Sequence, residues 1–228
     1  MTTSDLPRIA ALVPMRHHSE RVLGKNYRDF AGVPLYHHIV RALLACPQLG
    51  EIVIDTDSPT IMEDAARHFP QVRLLERPEH LRAGDTPMND VLLHATSQVE
   101  ADFYLQTHST NPLLRPQTIQ RAVDAFLRLY PVYDTLFGVT RWQTRLWDGL
   151  ARPINHNAAI LLRTQDLPPV YEENSNLYIF SRETLLRRHN RVGERPYLFE
   201  IDRLEAVDID DESAFVIAEL LYQRFHSA

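Results

Sequence analysis

Residues 9–26 have the sequence IAALVPMRHHSERVLGKN, and the change from apolar to polar residues within this stretch decides the predicted fold. The apolar run at 9–14 predicts a short buried β-strand, and the polar, basic run at 16–26 predicts a loop directly after it. Open parallel sheets bind their ligands at such loops, beyond the carboxyl ends of the strands. We therefore expect the first strand of an α/β sheet, with a ligand-binding loop at its end.

This loop carries charges that suit a polyphosphate. Arg16, Arg21 and Lys25 can neutralise phosphate oxygens, while Ser19 and the loop amides can donate hydrogen bonds. The loop is not a Walker loop, because the pattern G-x-x-x-x-G-K-[ST] is absent. On these residues alone, a solvated basic loop without any ligand is an equal alternative.

Strands and helices alternate along most of the chain. Further strands are predicted at 51–56, 72–75, 102–107, 176–180 and 206–209, and helices at 34–45, 59–68, 87–99, 118–129, 182–188 and 213–224. Alternation of this kind produces βαβ crossovers, so we expect a single Rossmann-like α/β domain over 1–228, with a mostly parallel sheet flanked by helices. The alternation weakens at about 132–170, which we interpret as an insertion. Trp142 and Trp147 favour its use as a dimer interface.

Composition excludes several classes of protein. The 228 residues carry a formal net charge of −6, which speaks against a protein that coats nucleic acid or an anionic membrane. Cys46 is the sole cysteine, so no internal disulfide is possible and a reducing cytoplasm is expected. We find neither a signal peptide nor an apolar run long enough to span a bilayer. Eleven histidines do not predict zinc, because no H-E-x-x-H motif is present.

Three further polar clusters follow predicted strands, at 55–57, 106–115 and 208–212. In the last of them, Asp208 and Asp210 would share one face of an extended segment. Two neighbouring carboxylates repel each other without a cation, so this pair predicts a Mg²⁺ site. The alternative is a cap for the final helix, in which Asp211 and Glu212 are favoured by the helix dipole. Both interpretations can hold for different members of the cluster.

The ordered set of these clusters resembles the acylneuraminate cytidylyltransferase family, which includes the CMP-sialic acid synthetases. The family's opening loop has the form A-R-x-x-S-K-x-x-P-x-K-N, and Arg16, Ser19, Lys25 and Asn26 match it. Further matches follow in the family's order at 54–57, 77–86, 105–115, 173–179 and 207–210. The resemblance covers almost the entire chain, and the set of motifs is far more specific than any single one.

The resemblance implies a fold, a reaction and a set of site residues. The fold would be of the nucleotide-diphospho-sugar transferase type, with the insertion used for dimerisation. The enzyme would be a cytoplasmic, homodimeric cytidylyltransferase that uses CTP and Mg²⁺ to activate a sialic-acid-like (nonulosonic) sugar acid for a surface polysaccharide. The implied nucleotide-binding residues are Arg16, Ser19, Arg21, Lys25, Asn26, Arg77 and Asn89. The implied sugar-binding residues are Gln106, Asn174, Arg141 and Gln143. The implied metal ligands are Asp208 and Asp210, which together with Arg16 and Lys25 form the predicted catalytic set.

Three departures from the family pattern concern the substrate more than the reaction. Glu20 stands where a basic residue is usual, Ser175 replaces a glycine, and the loop at 106–115 carries additional residues. Two alternatives therefore stay open. One is a synthetase acting on an eight-carbon acid such as Kdo, and the other is a degenerate homologue that binds nucleotide or sugar without catalysis.

Overall fold

The computed structural model describes residues 7–226. They form nine strands: β1 (Ile9–Met15), β2 (Asp29–Phe30), β3 (Val33–Pro34), β4 (Glu51–Thr56), β5 (Arg73–Glu76), β6 (Phe103–Thr107), β7 (Thr135–Trp142), β8 (Val170–Phe180) and β9 (Pro196–Glu200). They also form six α-helices: α1 (Leu35–Leu44), α2 (Pro59–His68), α3 (Met88–Gln98), α4 (Pro116–Leu129), α5 (Arg182–Arg188) and α6 (Glu212–His226).

Seven of the strands make one sheet, in the order β5-β4-β1-β6-β8-β7-β9. Strands β5, β4, β1 and β6 run parallel to one another, whereas β8 is antiparallel to both of its neighbours, β6 and β7. Strand β9 is parallel to β7, so β8 alone runs against the others. The predicted mostly parallel sheet is confirmed. The short strands β2 and β3 form a separate two-stranded hairpin.

Strand β1 is buried along its whole length, because it lies between β4 and β6 and is covered on both faces. Ile9, Ala11 and Val13 pack into the larger core with α1, α2 and α4. Ala10 and Leu12 point to the opposite face and pack with α3 and α5. A strand buried on both faces has a continuous apolar sequence, which is why the position of β1 could be predicted.

Most predicted elements are found within one to two residues of their predicted ends. Helix α2 begins at Pro59, where the Ser58 hydroxyl accepts a hydrogen bond from the Ile61 amide at 3.3 Å and caps the first turn. Proline at the first helical position needs no amide partner, so this start was readable from the sequence.

The predicted strand at 206–209 is wrong, since this segment pairs with no strand: Ala206 lies in a turn, and 207–209 has no regular structure. Its backbone groups are satisfied in other ways: the Ile209 amide donates to the Thr110 carbonyl at 2.9 Å, and the Val207 carbonyl accepts from the Asn111 side chain at 3.3 Å. The edge position is taken instead by β9, which was not predicted. Strand β8 is also longer than predicted, since it begins at Val170 rather than at residue 176.

The insertion divides into two parts. Its first residues form β7, which belongs to the main sheet, and the stretch at 143–169 then leaves the sheet with little regular structure beyond a 3₁₀ turn at Thr164–Asp166. This stretch is held by its own hydrogen bonds, such as those from the Asn155 side chain to the carbonyls of Thr144 and Pro168 at 2.7 and 3.2 Å. Several of its large apolar side chains are exposed. Its use for dimerisation, and the extent of a single domain over 1–228, stay predictions.

None of the helices between residues 7 and 226 combines the length and the apolar character that crossing a bilayer requires.

Candidate active site

A cavity of about 480 Å³ opens where β1 and β6 end, as expected for a sheet of this kind. Residues from several separate parts of the chain line it. From the loop after β1 come Arg16, His18, Ser19, Glu20, Arg21, Lys25 and Asn26; from the segment after β5, Arg77, Leu81, Ala83, Gly84, Thr86, Met88 and Val91; from the loop after β6, His108, Ser109 and Thr110; and from the rest of the chain, Ser175, Arg191, Asp208 and Asp210.

The loop after β1 is anchored to the strand it follows. The side-chain amide of Asn26, which is buried, donates to the Arg16 carbonyl at 2.8 Å, and its oxygen accepts from the Ser109 hydroxyl at 2.6 Å. The Arg16 guanidinium donates to the Gly84 carbonyl at 2.6 Å, which ties the loop to the opposite wall. Asn26, predicted to bind nucleotide, thus also closes the loop.

Gly24 gives the loop its sharp turn, since its φ of 63° is left-handed and a Cβ there would overlap the Tyr27 ring. The turn brings Lys25 inward, where its ammonium donates to the Ile209 carbonyl at 2.7 Å. Burial lowers the pKa of Lys25, and the carboxylates of Asp208 and Asp210 oppose that shift. The basic loop and the acidic segment, 184 residues apart in sequence, therefore face each other.

The two predicted metal ligands both line the cavity. Asp210 is exposed and pairs with the Arg21 guanidinium at 2.7 Å. Asp208 is partly buried, and its Oδ1 is buried without a hydrogen-bond partner among the described residues. Burial raises the pKa of the Asp208 carboxyl, and a hydrogen bond from Thr110 opposes the rise. An inward carboxylate oxygen with no protein partner is suited to a cation.

Arg77 is buried in the wall of the cavity beside the end of β4. Its Nε donates to Asp55 Oδ1 at 2.6 Å, and a second nitrogen donates to the Asp55 carbonyl at 3.2 Å. Burial raises the pKa of Asp55 and Arg77 opposes the rise. A buried pair with these bonds fixes the geometry of the strand end, because removing either partner would leave an uncompensated charge. Arg77 was predicted to bind nucleotide, and it reaches the cavity from this fixed position.

Gln106, a predicted sugar ligand, is fully buried and already bonded at both ends of its amide. The nitrogen donates to His108 Nε2 at 2.9 Å and to the Thr107 carbonyl at 3.2 Å. The oxygen accepts from the Arg191 guanidinium at 2.5 Å. In this structure Gln106 positions two residues that line the cavity and does not itself line it.

The remaining predicted residues lie away from the cavity lining. Asn89 accepts a hydrogen bond from the Arg191 amide at 3.2 Å. Asn174 is buried and bonds to Thr140 at 3.1 Å, while Gln143 donates to the carbonyls of Gln165 and Leu167 inside the insertion. The side chain of Arg141 is exposed. Their contact with nucleotide or sugar stays a prediction.

Arg191 is the cavity residue that the sequence did not reveal. It follows α5 by three residues and belongs to no motif, so no local signal distinguishes it from the other arginines nearby. Its distance from Gln106 in sequence is 85 residues, and only the folded sheet brings them together.

His37, Asp64 and His68 form a second group that could hold a metal ion, away from the cavity. The hydroxyl of Tyr36 donates to Asp64, and His37 Nε2 lies 2.6 Å from the same carboxylate. These hydrogen bonds between α1 and α2 account for the arrangement without an ion.

Comparisons with known proteins agree on one group. A family model described as "Cytidylyltransferase" matches residues 10–224. The chain is 30% identical over 234 residues to the CMP-N,N'-diacetyllegionaminic acid synthase of Legionella pneumophila, covering 95% of this chain and 97% of that one. It is 26% identical over 224 residues to N-acylneuraminate cytidylyltransferase A of Danio rerio, covering 95% of this chain and 51% of that one. The chain thus spans about half the length of such fish relatives.

Among solved structures, the fold is similar to that of a CMP:2-keto-3-deoxy-manno-octonic acid synthetase complexed with CTP. The TM-score is 0.70, over 96% of this chain and 99% of that one, and the sequence identity is 15%. A likeness at this identity bears on the fold alone.

Proposed function

This chain belongs to the cytidylyltransferase family, and on that premise we propose that it transfers CMP from CTP to a nonulosonic sugar acid and releases pyrophosphate. The observation that carries the proposal is the cavity in which the basic loop at 16–26 faces Asp208 and Asp210. The similarity to a legionaminic acid synthase along nearly the whole of both chains supports a nonulosonic acid as the acceptor.

The reaction asks mainly for positioning and charge neutralisation. The anomeric 2-hydroxyl of the sugar acid attacks the α-phosphorus of CTP; an O–P bond forms, the bond to the β-phosphate oxygen breaks in line, and the hydroxyl proton is lost to solvent or a base. Arg16, Arg21 and Lys25 neutralise the negative charge of the triphosphate and of the departing pyrophosphate. Donors fixed in advance by the hydrogen bonds of the loop need no reorganisation during the reaction.

Asp208 and Asp210 fit a Mg²⁺ ion, and we propose that they hold one. The unpartnered Oδ1 of Asp208 supports this, since hard cations favour carboxylate oxygens. When bound, Mg²⁺ neutralises phosphate oxygens and lowers the pKa of a hydroxyl that it polarises. Arg21 pairs with Asp210 in this structure, and it would be free to meet a phosphate if that carboxylate were to bind the ion.

The setting of the enzyme is part of the proposal. We expect a homodimer in the cytoplasm that supplies an activated sugar acid for a surface polysaccharide. The single buried Cys46 is compatible with a reducing compartment.

A Kdo-type acceptor is the second candidate, because a 26% identical match over 115 residues is a 3-deoxy-manno-octulosonate cytidylyltransferase of Escherichia coli. That match covers half of this chain, against 95% for the legionaminic acid synthase. A degenerate homologue without catalysis is the third, and the retained pair Asp208 and Asp210 argues against it.

One set of assays tests the proposal. CTP with Mg²⁺ should raise the melting temperature, because a ligand that binds only the folded state stabilises it, and ATP, GTP and UTP should raise it much less. Pyrophosphate release should then be measured with N-acetylneuraminic, N,N'-diacetyllegionaminic, pseudaminic and 3-deoxy-manno-octulosonic acids. Equal shifts with all four nucleotides, or no pyrophosphate with any acid, would contradict the proposal.

A further inference from the structure

Arg191 places a cation in the wall of the cavity opposite the basic loop. Its guanidinium carbon lies 3.5 Å from the centre of the Tyr178 ring, so the planar group is stacked on the ring. Gln106 accepts from one guanidinium nitrogen at 2.5 Å. A side chain held on one face by a ring and on one edge by a buried amide has little rotational freedom left. Arg191 is therefore preorganised.

The charge of Arg191 is not balanced by a direct ion pair within the described part of the chain. Within residues 7–226, no carboxylate lies at ion-pair distance from its guanidinium, whereas Arg77 and Arg21 in the same cavity have Asp55 and Asp210. Glu173, which accepts the hydrogen bond from the Tyr178 hydroxyl, acts on Arg191 only through space. Burial lowers the pKa of Arg191. A partly buried cation without a partner is costly unless a ligand anion provides one.

The surroundings of Arg191 also favour an anion. Burial, together with the nearby Arg191 and Lys25, lowers the pKa of His108 to about 3, so the imidazole stays neutral. A neutral His108 can accept from Gln106 at Nε2 and keep an N–H donor on its other ring nitrogen. Ser175 adds a hydroxyl to the cavity lining. The wall thus combines one fixed cation with neutral hydrogen-bonding groups.

We propose that Arg191 binds the carboxylate of the sugar acid from within the same protomer, with Gln106 and Tyr178 as its positioning residues. The inference rests on the proposed function and names the group that recognises the acid. A guanidinium offers two parallel N–H donors that match the two oxygens of a carboxylate. The triphosphate has its own cations on the loop at 16–26, whereas Arg191 is held by Gln106 of β6 and Tyr178 of β8.

The test compares two changes to the same contact, one in the protein and one in the substrate. The kinetic constants for the best acid of the panel and for its methyl ester are measured at saturating CTP, in the wild type and in Arg191→Gln. For the wild type, the ester should have a kcat/KM about 10- to 100-fold lower than the acid, the range for a hydrogen bond to a charged group. Arg191→Gln should lose this preference, so that the acid and the ester become nearly equal.

Two further variants and one binding measurement make the result interpretable. Arg191→Lys keeps the charge without the planar fork and should fall between the wild type and Arg191→Gln. Arg187→Gln changes an exposed arginine of α5 and should leave both constants unchanged. The shift in melting temperature produced by CTP and Mg²⁺ should be the same in all of them, which verifies that the fold and the nucleotide site are intact.

The failure of this inference is distinguishable from failure of the proposed function. If the wild type releases pyrophosphate with an acid but Arg191→Gln keeps the full preference for acid over ester, Arg191 does not bind the carboxylate. If Arg191→Gln loses the CTP shift instead, the residue serves the nucleotide, and the inference is overturned while the proposed function stands. If the wild type itself releases no pyrophosphate with any acid, both are overturned.

Discussion

Asp208 and Asp210 differ in their surroundings although a single residue separates them. Asp210 is exposed and shares its charge with Arg21, whereas Asp208 turns inward and keeps one oxygen without a partner. The two-residue spacing was expected to put both carboxylates on one face of a strand. Both do line the cavity, but on an irregular segment outside the sheet, which the hydrogen bond from Lys25 to the Ile209 carbonyl holds in place.

We expect Asp208→Asn to lower turnover by roughly a hundredfold or more, equivalent to about 2.7 kcal/mol of activation free energy. Asparagine keeps the size of the side chain but removes the negative charge that would bind Mg²⁺. The fold should survive, because burial disfavours the charged form of Asp208 and a neutral amide relieves that cost. Steady-state kinetics at several Mg²⁺ concentrations, together with thermal unfolding without metal, measure both effects.

Asp211→Asn is the matched control for this prediction. Asp211 Oδ1 accepts from the Ala214 amide at 2.8 Å and so caps α6, and asparagine caps a helix about as well as aspartate. Turnover should therefore stay near that of the wild type. If Asp211→Asn lowered turnover and Asp208→Asn did not, our assignment of the metal to Asp208 would be wrong.

At the scale of elements, one polar contact joins the start of β7 to the loop before β9. The Asp134 carboxylate accepts from the amides of Glu194 and Arg195 at 2.9 and 3.0 Å. These backbone hydrogen bonds outweigh burial and hold the pKa of Asp134 below its usual value. Gly193 leaves room for the carboxylate, since a Cβ there would overlap both of its oxygens. The loop that leads into the unpredicted edge strand β9 thus requires a glycine at position 193 to keep these hydrogen bonds.

Gly193→Ala should lower the free energy of unfolding by about 1–3 kcal/mol, because the added methyl group forces Asp134 away from the amides it accepts from. Gly149→Ala is the control, since nothing lies within 4 Å of a Cβ built there. It should be neutral or stabilising by about 0.4–1 kcal/mol, through a less flexible unfolded chain. Urea unfolding measures the difference. Equal stability of the two variants would mean that the loop before β9 adjusts freely.

At the scale of the molecule, the sequence predicted those strands and loops whose structure depends on neighbouring residues in the chain. Strand β1 and the loop after it were found because an apolar run and a cluster of charges are visible without any partner. The segment at 206–209 was assigned wrongly because an apolar, extended pattern does not say whether a neighbouring strand is available; Thr110 and Lys25 took up its backbone groups instead. Arg191 was missed because its importance comes from Tyr178 and Gln106, which only the folded sheet brings near.

The exposed apolar side chains of the insertion bear on assembly. Trp147, Leu150, Ile154, Ile160 and Leu161 are each more than half exposed, and Leu161 reaches 90%. Apolar side chains clustered on one segment are typical of an interaction surface. A competing surface exists on α6, where Val216, Ile217 and Leu220 are also more than half exposed. A charge placed in the surface that forms the interface should separate the subunits, whereas the same charge on the other surface should not.

We expect the protein to be a dimer that buries the stretch at 143–169, so light scattering at micromolar concentration should give twice the chain mass of 26.4 kDa. Leu161→Asp should shift the equilibrium toward monomer, because burying an unpaired carboxylate in an apolar interface is strongly unfavourable. The folded monomer should be unaffected, since the side chain makes little contact within its own chain. Leu220→Asp places the same charge on α6 and should leave the dimer intact. Dissociation by Leu220→Asp but not by Leu161→Asp would move the interface to α6, and a wild-type monomer would exclude both.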